Sequence, residues 1–443
     1  MKKAVFLFSL FLFAGLTAFA QTLTLEQART YALANSRSLA RYEMSIRSSI
    51  LDERNQLYSM LPSVSADYSA SMDYLRNWEF VNPVDTFRAG ANLSITQVIF
   101  QGGKSFIQRA INAIATESVR KDALAEYFNV LDAVDNAYYA ALEAAATLEA
   151  EESSLESAVL GLSIAEIRQA SGMINRGDYL KALADLEARE NSRNQARRNL
   201  SLCMARLRSL TGIAENVELQ QIDFSAYEGV LLRLAAISDE DTDALFKEFW
   251  VMLSLSNPSL ARAALSSQRA EDNLTLSRRD YAPTISATVF STGLSYSNNR
   301  FDTTSSGGIT IRGSIPIDFW VINNRIEKNK IARDTAALEY INTEISLGTD
   351  LQSALLNTLA QAGSVLSSRR SLEYTQQHFE YVMERYRLSQ SSVSDLNDAS
   401  SLFLTSRNSL IRASYSFLQS LSRLRSLCAL DDEGRLIRVL SGE

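Results

Sequence analysis

The sequence predicts a mainly helical chain with a small β part, built from two tandem copies of one unit. Each unit is a strand hairpin joined to a long helical hairpin. Three observations predict this: short blocks recur in order along the 443 residues, two very long stretches lack proline and nearly lack glycine, and two shorter stretches alternate apolar and polar residues.

The duplication is carried by three blocks. Ser38-Leu39-Ala40-Arg41 returns as Ser259-Leu260-Ala261-Arg262, and Pro62-Ser63-Val64-Ser65-Ala66 returns as Pro283-Thr284-Ile285-Ser286-Ala287, starting 24 residues after the start of the first block in each copy. Arg206-Leu207-Arg208-Ser209-Leu210 returns as Arg423-Leu424-Arg425-Ser426-Leu427, each 28 residues after an aspartate, Asp178 or Asp395. The expected divisions are therefore 1–20, 21–212, 213–241, 242–428 and 429–443.

Residues 1–20 have the form of a secretory signal. Lys2 and Lys3 precede the apolar run Val5 to Leu16, and Ala18-Phe19-Ala20 offers a small-x-small cleavage site. No cysteine follows that site, so a lipid anchor is not expected. The chain is acidic, with a formal net charge of −7, which argues against nucleic acid as a partner. Cys203 and Cys428 are both expected in apolar helical surroundings, either as buried free thiols or as one disulfide.

After a helical segment at about 24–60, the period changes. Val64, Ala66, Tyr68, Ala70, Met72 and Tyr74 alternate with Ser65, Asp67, Ser69, Ser71 and Asp73. Phe87, Ala89, Ala91, Leu93 and Ile95 alternate with Arg88, Gly90, Asn92, Ser94 and Thr96. In the second copy, after helix at about 242–281, Ile309, Ile311, Ile315 and Ile317 alternate likewise. The run from Ile285 slips phase at Phe290, which fits a bulge. Each copy thus has a strand hairpin, at about 63–100 and 284–320, with loops 75–86 and 297–306. Strands of about ten residues suit a tilted bilayer crossing. Tyr74, Trp78 and Phe87 collect at one end, and Phe100, Phe319 and Trp320 at the other, as aromatic girdles do. A soluble, half-buried sheet would alternate too. If the strands enter lipid, an apolar outer face would carry Val64, Ala66, Tyr68, Ala70, Met72 and Tyr74.

Ser105 to Ala170 contains one glycine, Gly161, and no proline, and it is rich in helix formers. That predicts one helix of about 65 residues, on the order of 100 Å. Arg325 to Leu388 mirrors it. Short breaks at 171–177 and 389–394 lead into return helices, Asp178 to Leu210 and Asp395 to Leu427, so each copy folds back as a hairpin. The helical segment preceding each strand hairpin is expected to stack end to end on the shorter return helix.

Leu23-Thr24-Leu25-Glu26-Gln27-Ala28, Leu61-Pro62-Ser63-Val64 entering a strand and Phe100-Gln101-Gly102-Gly103 leaving one resemble the TolC family of outer-membrane efflux proteins. The duplication matches that family's architecture over the whole chain beyond the signal. The resemblance implies a homotrimer whose four strands per chain close a twelve-stranded transmembrane barrel above a periplasmic helical tunnel. It also implies an outer-membrane location, a periplasmic adaptor and an inner-membrane pump as partners, and an equatorial band at 213–241 with the tail. Four strands alone cannot close a barrel, while two copies would fill theirs with side chains and three leave a passage.

The family closes its entrance with a tyrosine before the second hairpin turn and an Asp-x-x-Asp after it, which fall on Tyr386, Asp395 and Asp398. Asp178 corresponds to the family's inter-hairpin partner. A trimer would then ring the constriction with six carboxylates, favouring cations. The plainer reading makes Asp395 a helix N-cap with Asp398 at its third position. The family's arginine in this turn falls on Ser391. Gly172 matches the glycine at the first tip, where adaptors dock, and Ser389 holds the matching place in the second.

No cofactor, metal or catalytic constellation is expected. His378 is the one histidine, and neither a Walker loop nor a Gly-x-Ser-x-Gly elbow is present. The function expected is a passive exit duct for drug efflux or type I secretion. The rival is a periplasmic coiled-coil scaffold that uses the same helices without lipid.

Overall fold

A computed structural model describes residues 22–73, 86–213, 217–297, 300–302 and 306–441. The expected signal segment and Tyr74 and Trp78 lie outside them. The chain divides into a hairpin unit (residues up to 36, 128–248 and 352 onward) and a sheet unit (37–127 and 249–351).

In the sheet unit, helix α2 (Arg37–Tyr58) leads into strands β1 (Ser63–Asp73) and β2 (Thr86–Phe100). Helix α7 (Pro258–Arg278) leads into β3 (Thr284–Ser297), β4 (Arg300–Asp302) and β5 (Ser306–Ser314). Asn257 caps α7 by accepting from the Ser259 and Leu260 amides, with Pro258 at the first helical position. All strands are antiparallel. β1 pairs with β2, β2 with β3, and β4 and β5 lie in succession along the far side of β3, making four lanes.

Two expectations about the sheet need correction. Phe290 marks no bulge: β3 stays in register there with both Ser94 and Gly308. The register shifts fall elsewhere, one between Thr292 and Ser295 of β3 and one between Val98 and Phe100 of β2. Phe290 sits among serines and threonines because its cross-strand partner has no side chain. A Cβ on Gly308 would lie 3.2 Å from the Phe290 ring, so the ring covers the glycine. The last strand also ends at Ser314, before Ile315 and Ile317. Pro316 stops the ladder, and helix α8 (Phe319–Arg387) begins six residues ahead of Arg325, with the Asp318 carbonyl accepting from Val321 and Ile322. Phe319 and Trp320 therefore occupy a first helical turn rather than a strand end.

The hairpin unit contains α1 (Leu25–Asn35), the later part of α3 (Lys104–Ala170), α4 (Arg176–Thr211), α5 (Glu228–Ala236), most of α6 (Asp239–Ser256), the later part of α8, α9 (Val393–Leu427) and α10 (Glu433–Ser441). The pre-strand helical segments are each split, at Ser36 and at Asn257, which are repeat mates. Thr24 and Gln27 form a reciprocal capping box that starts α1. The far ends of α1 and α4 meet, with the Asn35 amide donating to the Thr211 carbonyl at 2.7 Å.

Three features hold the middle of this unit. Asp135, wholly buried on α3, takes Arg29 of α1 at 2.7 Å and Arg425 of α9 at 2.7 Å, and also accepts from the Ser422 hydroxyl. Leu23 pairs in parallel with Leu219, and the Tyr138 hydroxyl donates to the Leu23 and Gln220 carbonyls, each at 2.9 Å. The segment read only as an equatorial band supplies α5, which packs against α10; Leu231 and Leu234 of the first and Leu436 and Leu440 of the second are buried. Arg233 reaches the Leu440 carbonyl at 2.9 Å. Cys203 and Cys428 are both thiols, not joined in a disulfide, and burial pushes the Cys428 thiol up to about 12. His378 is exposed on α8.

Candidate functional site

Two places carry functional potential, the sheet and the helical hairpin tips. Paired residues in a sheet share a face, so the register sorts the strands into two. One face carries the row Val64, Ile95, Val289 and Ile309, with Ala66, Leu93, Tyr68, Ala70, Ala91, Ala287 and Ile311 beside it. Met72 shares that face by register with Phe87. The other face carries Ser63, Thr96, Thr288 and Thr310, then Ser65 and Ser94, then Asp67, Asn92 and Thr292. It is laced by hydroxyl contacts, Ser65 with Ser94 at 2.8 Å and Thr96 with Thr288 at 3.0 Å. The apolar face is uncovered: Tyr68 is 77% exposed and Ile309 73%. Phe100, Phe319 and Trp320 are exposed at the sheet base, where the Phe319 ring lies against Tyr281. No described helix is long and apolar enough to cross a membrane.

The hairpin tips repeat one another bond for bond. Gly172 follows α3 in the left-handed region (φ +72), and Ser389 follows α8 in the same conformation (φ +62). The Met173 amide returns to the Arg168 carbonyl and the Gln390 amide to the Arg385 carbonyl, both at 2.8 Å, which closes the same helix-ending motif twice. Each return helix then starts at a capped turn. Asn175 accepts from the Asp178 amide, and Ser392 from the Asp395 amide.

Asp395 is thus the third residue of α9, not its N-cap. Ser392 takes that place because the helix starts two residues early, at Val393. Asp395 completes a reciprocal capping box by accepting from the Ser392 amide at 2.9 Å and from the Ser391 hydroxyl at 3.1 Å. The amide and hydroxyls of Ser392 and Ser391 hold its carboxyl below the usual range. Asp398 lies beyond the third position, exposed one turn along. Asp178, at the third position of α4, lies 4.0 Å from Lys181 of its own helix.

Tyr386 is fully buried, packed with Ala165, Ala182, Met383, Val393 and Leu396 of both hairpins. Its hydroxyl donates to the Gly161 carbonyl at 3.3 Å. Burial pushes its phenol up, against the lowering effect of Arg168. Arg168 is the residue that sequence reading missed. It is 6% exposed, its guanidinium stacks 4.2 Å from the Tyr386 ring centroid, and it donates to the Tyr386 carbonyl and, at 3.5 Å, to that of Ser391. Arg168 thus reaches the second turn from the first hairpin. A signal existed: Arg168 and Arg385 are repeat mates, each four residues before a left-handed residue. Further along, Arg189 of α4 donates to the Ser401 hydroxyl of α9 at 2.7 Å. Among the described residues no cluster of His, Cys, Asp and Glu has the geometry to hold a metal.

Comparisons with known proteins agree with this architecture. Outer membrane protein TolC of Escherichia coli (strain K12) is 22% identical over 419 residues, covering 88% of this chain and 78% of the relative. The Campylobacter jejuni CmeC outer membrane channel superposes with a TM-score of 0.75 at 17% identity, covering 94% of this chain and 89% of that one. The outer membrane protein VceC of Vibrio cholerae gives 0.74 at 14% identity, covering 91% and 96%. The outer membrane efflux protein family model matches residues 28–213 and again 251–429, once per repeat, and the chain belongs to that family.

Proposed function

We propose that the chain is the outer-membrane exit duct of a tripartite efflux pump or a type I secretion system. It acts as a passive conduit, closed at its periplasmic end by the hairpin tips. The observation that carries this reading is the sheet: its large apolar side chains are bare on one face, and both outer lanes have a free edge. Among the described residues β1 pairs only with β2, and β4 and β5 only with β3. A free edge in lipid leaves backbone groups unsatisfied, each at a cost of several kcal/mol. Copies of the same chain remove both edges at once. The polar opposite face suits a wet lumen, which three copies enclose and two do not.

The helices of the sheet unit support the same partner. Met44, Leu51 and Tyr58 on α2, and Ile331, Leu338 and Ile345 on α8, are exposed at seven-residue spacing, the pattern of a helix seam awaiting a neighbour. In this reading the carboxylates of Asp395 and Asp398 ring the entrance beside the buried Tyr386, Asp178 faces them from the first hairpin, and the tips at Gly172 and Ser389 receive the adaptor. Planar-bilayer recording on the detergent-purified protein tests the proposal. Small, cation-preferring conductance steps are expected from the acidic entrance. Anion preference, or silence from an oligomer verified by native mass, would overturn it.

A further inference from the structure

At the base of the sheet, Asp280 lies between α7 and β3, which has β2 on one side and β4 and β5 on the other. Lys104, which opens α3 just after β2, approaches its Oδ1 at 2.8 Å, and Arg325, two turns into α8 after β5, approaches its Oδ2 at 2.6 Å. One carboxylate therefore ties together the helices that leave both flanking lanes. Burial pushes the Asp280 carboxyl up, and the bonds and charges of the two cations outweigh burial and hold it below the usual range. Beside this clamp the joint between β2 and β3 is tight. Gly102 has φ +66, and a Cβ there would come within 2.3 Å of the Ala282 Cβ, so only glycine fits.

The duplication says what stands at the corresponding joint. Lys104 and Arg325 are 221 residues apart, the spacing of Pro62 and Pro283. At the same offset the mate of Asp280 is Ser59, that of Gly102 is Asn323, and that of Ala282 is Leu61. Ser59 sits at the base of β1, where its hydroxyl only returns to the Gln56 carbonyl. The repeat mate of the β2–β3 joint is the pairing of β5 with β1 of another copy. Neither feature that draws the internal joint together is present there: a serine stands for the carboxylate, and Asn323, already inside α8 and accepting from the Tyr281 hydroxyl of its own chain, stands where Gly102 makes its left-handed turn.

We infer that the seam between copies, where Arg325 would come over the partner subunit's Ser59, is an unclamped and looser joint than the one inside each chain. The inference rests on the oligomeric-barrel reading. It makes the seam the place where the collar yields first, and it identifies Ser59 as the position that sets how firmly copies hold one another.

The test is to install the missing clamp. Ser59→Asp should raise the temperature at which detergent-resistant oligomers fall to monomers by about 2–4 °C. The gain must disappear when Arg325→Gln is added, because that arginine is the cation on the far side of the seam. Without its cations a carboxylate just beyond a helix C-terminus is unfavourable, so the double variant should be no firmer than the parent. Arg325→Gln alone also removes one arm of the clamp on Asp280, so the gain from Ser59→Asp is read within each background, present with Arg325 and absent with Arg325→Gln. A Ser59→Asp oligomer with no gain, or a gain that survives Arg325→Gln, would overturn the inference. A parent that is monomeric by native mass in detergent would instead overturn the oligomeric reading, and this inference with it.

Discussion

The two hairpin tips are built from one pattern and put it to different uses. Arg168 and Arg385 occupy the same place before the same turn. Arg385 closes its own turn by donating to the Gln390 carbonyl at 2.9 Å, whereas Arg168 crosses to the other hairpin and binds Tyr386 and Ser391. The difference lies in what each guanidinium faces. Arg168 lies over an aromatic ring and beside two carbonyls of a neighbouring turn, and Arg385 rests on its own helix near Tyr381. Duplication supplied two equal arginines, and packing against the other hairpin made one of them a latch.

Removing that latch should have the largest effect on the comparison. Arg168→Ala strips a donor from two main-chain carbonyls and the charge from a buried ring, a loss of about 1–3 kcal/mol. Arg385→Ala removes an exposed equivalent and should cost less than about 1 kcal/mol. In thermal unfolding of the detergent-purified protein the first variant should melt well below the second. In bilayers the first should also show larger or more frequent openings. Equal behaviour of the two variants would show that the crossing contact holds nothing shut.

The second contrast is backbone strain. Gly172 adopts its left-handed conformation freely, with open space around it, while Ser389 holds the same conformation with a side chain. Left-handed backbone costs an ordinary L-residue about 1 kcal/mol or more. Ser389→Gly should therefore stabilise the protein, and Gly172→Ser should destabilise it, by about 1 kcal/mol in opposite directions. Chemical denaturation of the two variants reads both signs. If Ser389→Gly also weakens pull-down of a periplasmic adaptor, the serine serves docking at the expense of strain.

The parts of this architecture legible in the sequence were those written as period or composition. The long helices announced themselves by the absence of proline, and the strands by alternation from Val64 to Asp73. What misled was local chemistry read without its partner. Phe290 looked like a phase slip because Gly308 opposite it cannot be seen from one strand. Phe319 and Trp320 looked like a strand end because aromatics favour strands and gather at barrel rims, yet the Asp318 carbonyl starts a helix there. Arg168 was invisible for a different reason. On a helix surface an arginine is ordinarily solvated, and only the second hairpin's packing shows that it is buried.

The smallest expected effect separates gating from capping at Asp395. Its carboxyl titrates below the usual range because it accepts bonds from Ser392 and Ser391. A depressed carboxyl contributes stability that is present above the unfolded-state value, about 3.9, and is lost as the pH falls through the folded one. The cap should therefore be at full strength near neutrality and fail only in acid, below about pH 4. Asp395→Ala should lower the melting temperature slightly at pH 7, and the gap from the parent should close in acid. Asp398, exposed and outside the box, should cost almost nothing when replaced. If the two carboxylates also line the entrance, Asp398→Ala should reduce cation preference as much as Asp395→Ala does, despite that unequal cost to stability. Recording ion selectivity and melting on the same two variants separates the roles. Unchanged selectivity in both variants, with melting lowered only by Asp395→Ala, would mark the carboxylate as a cap alone, and selectivity that follows both would place it in the ring.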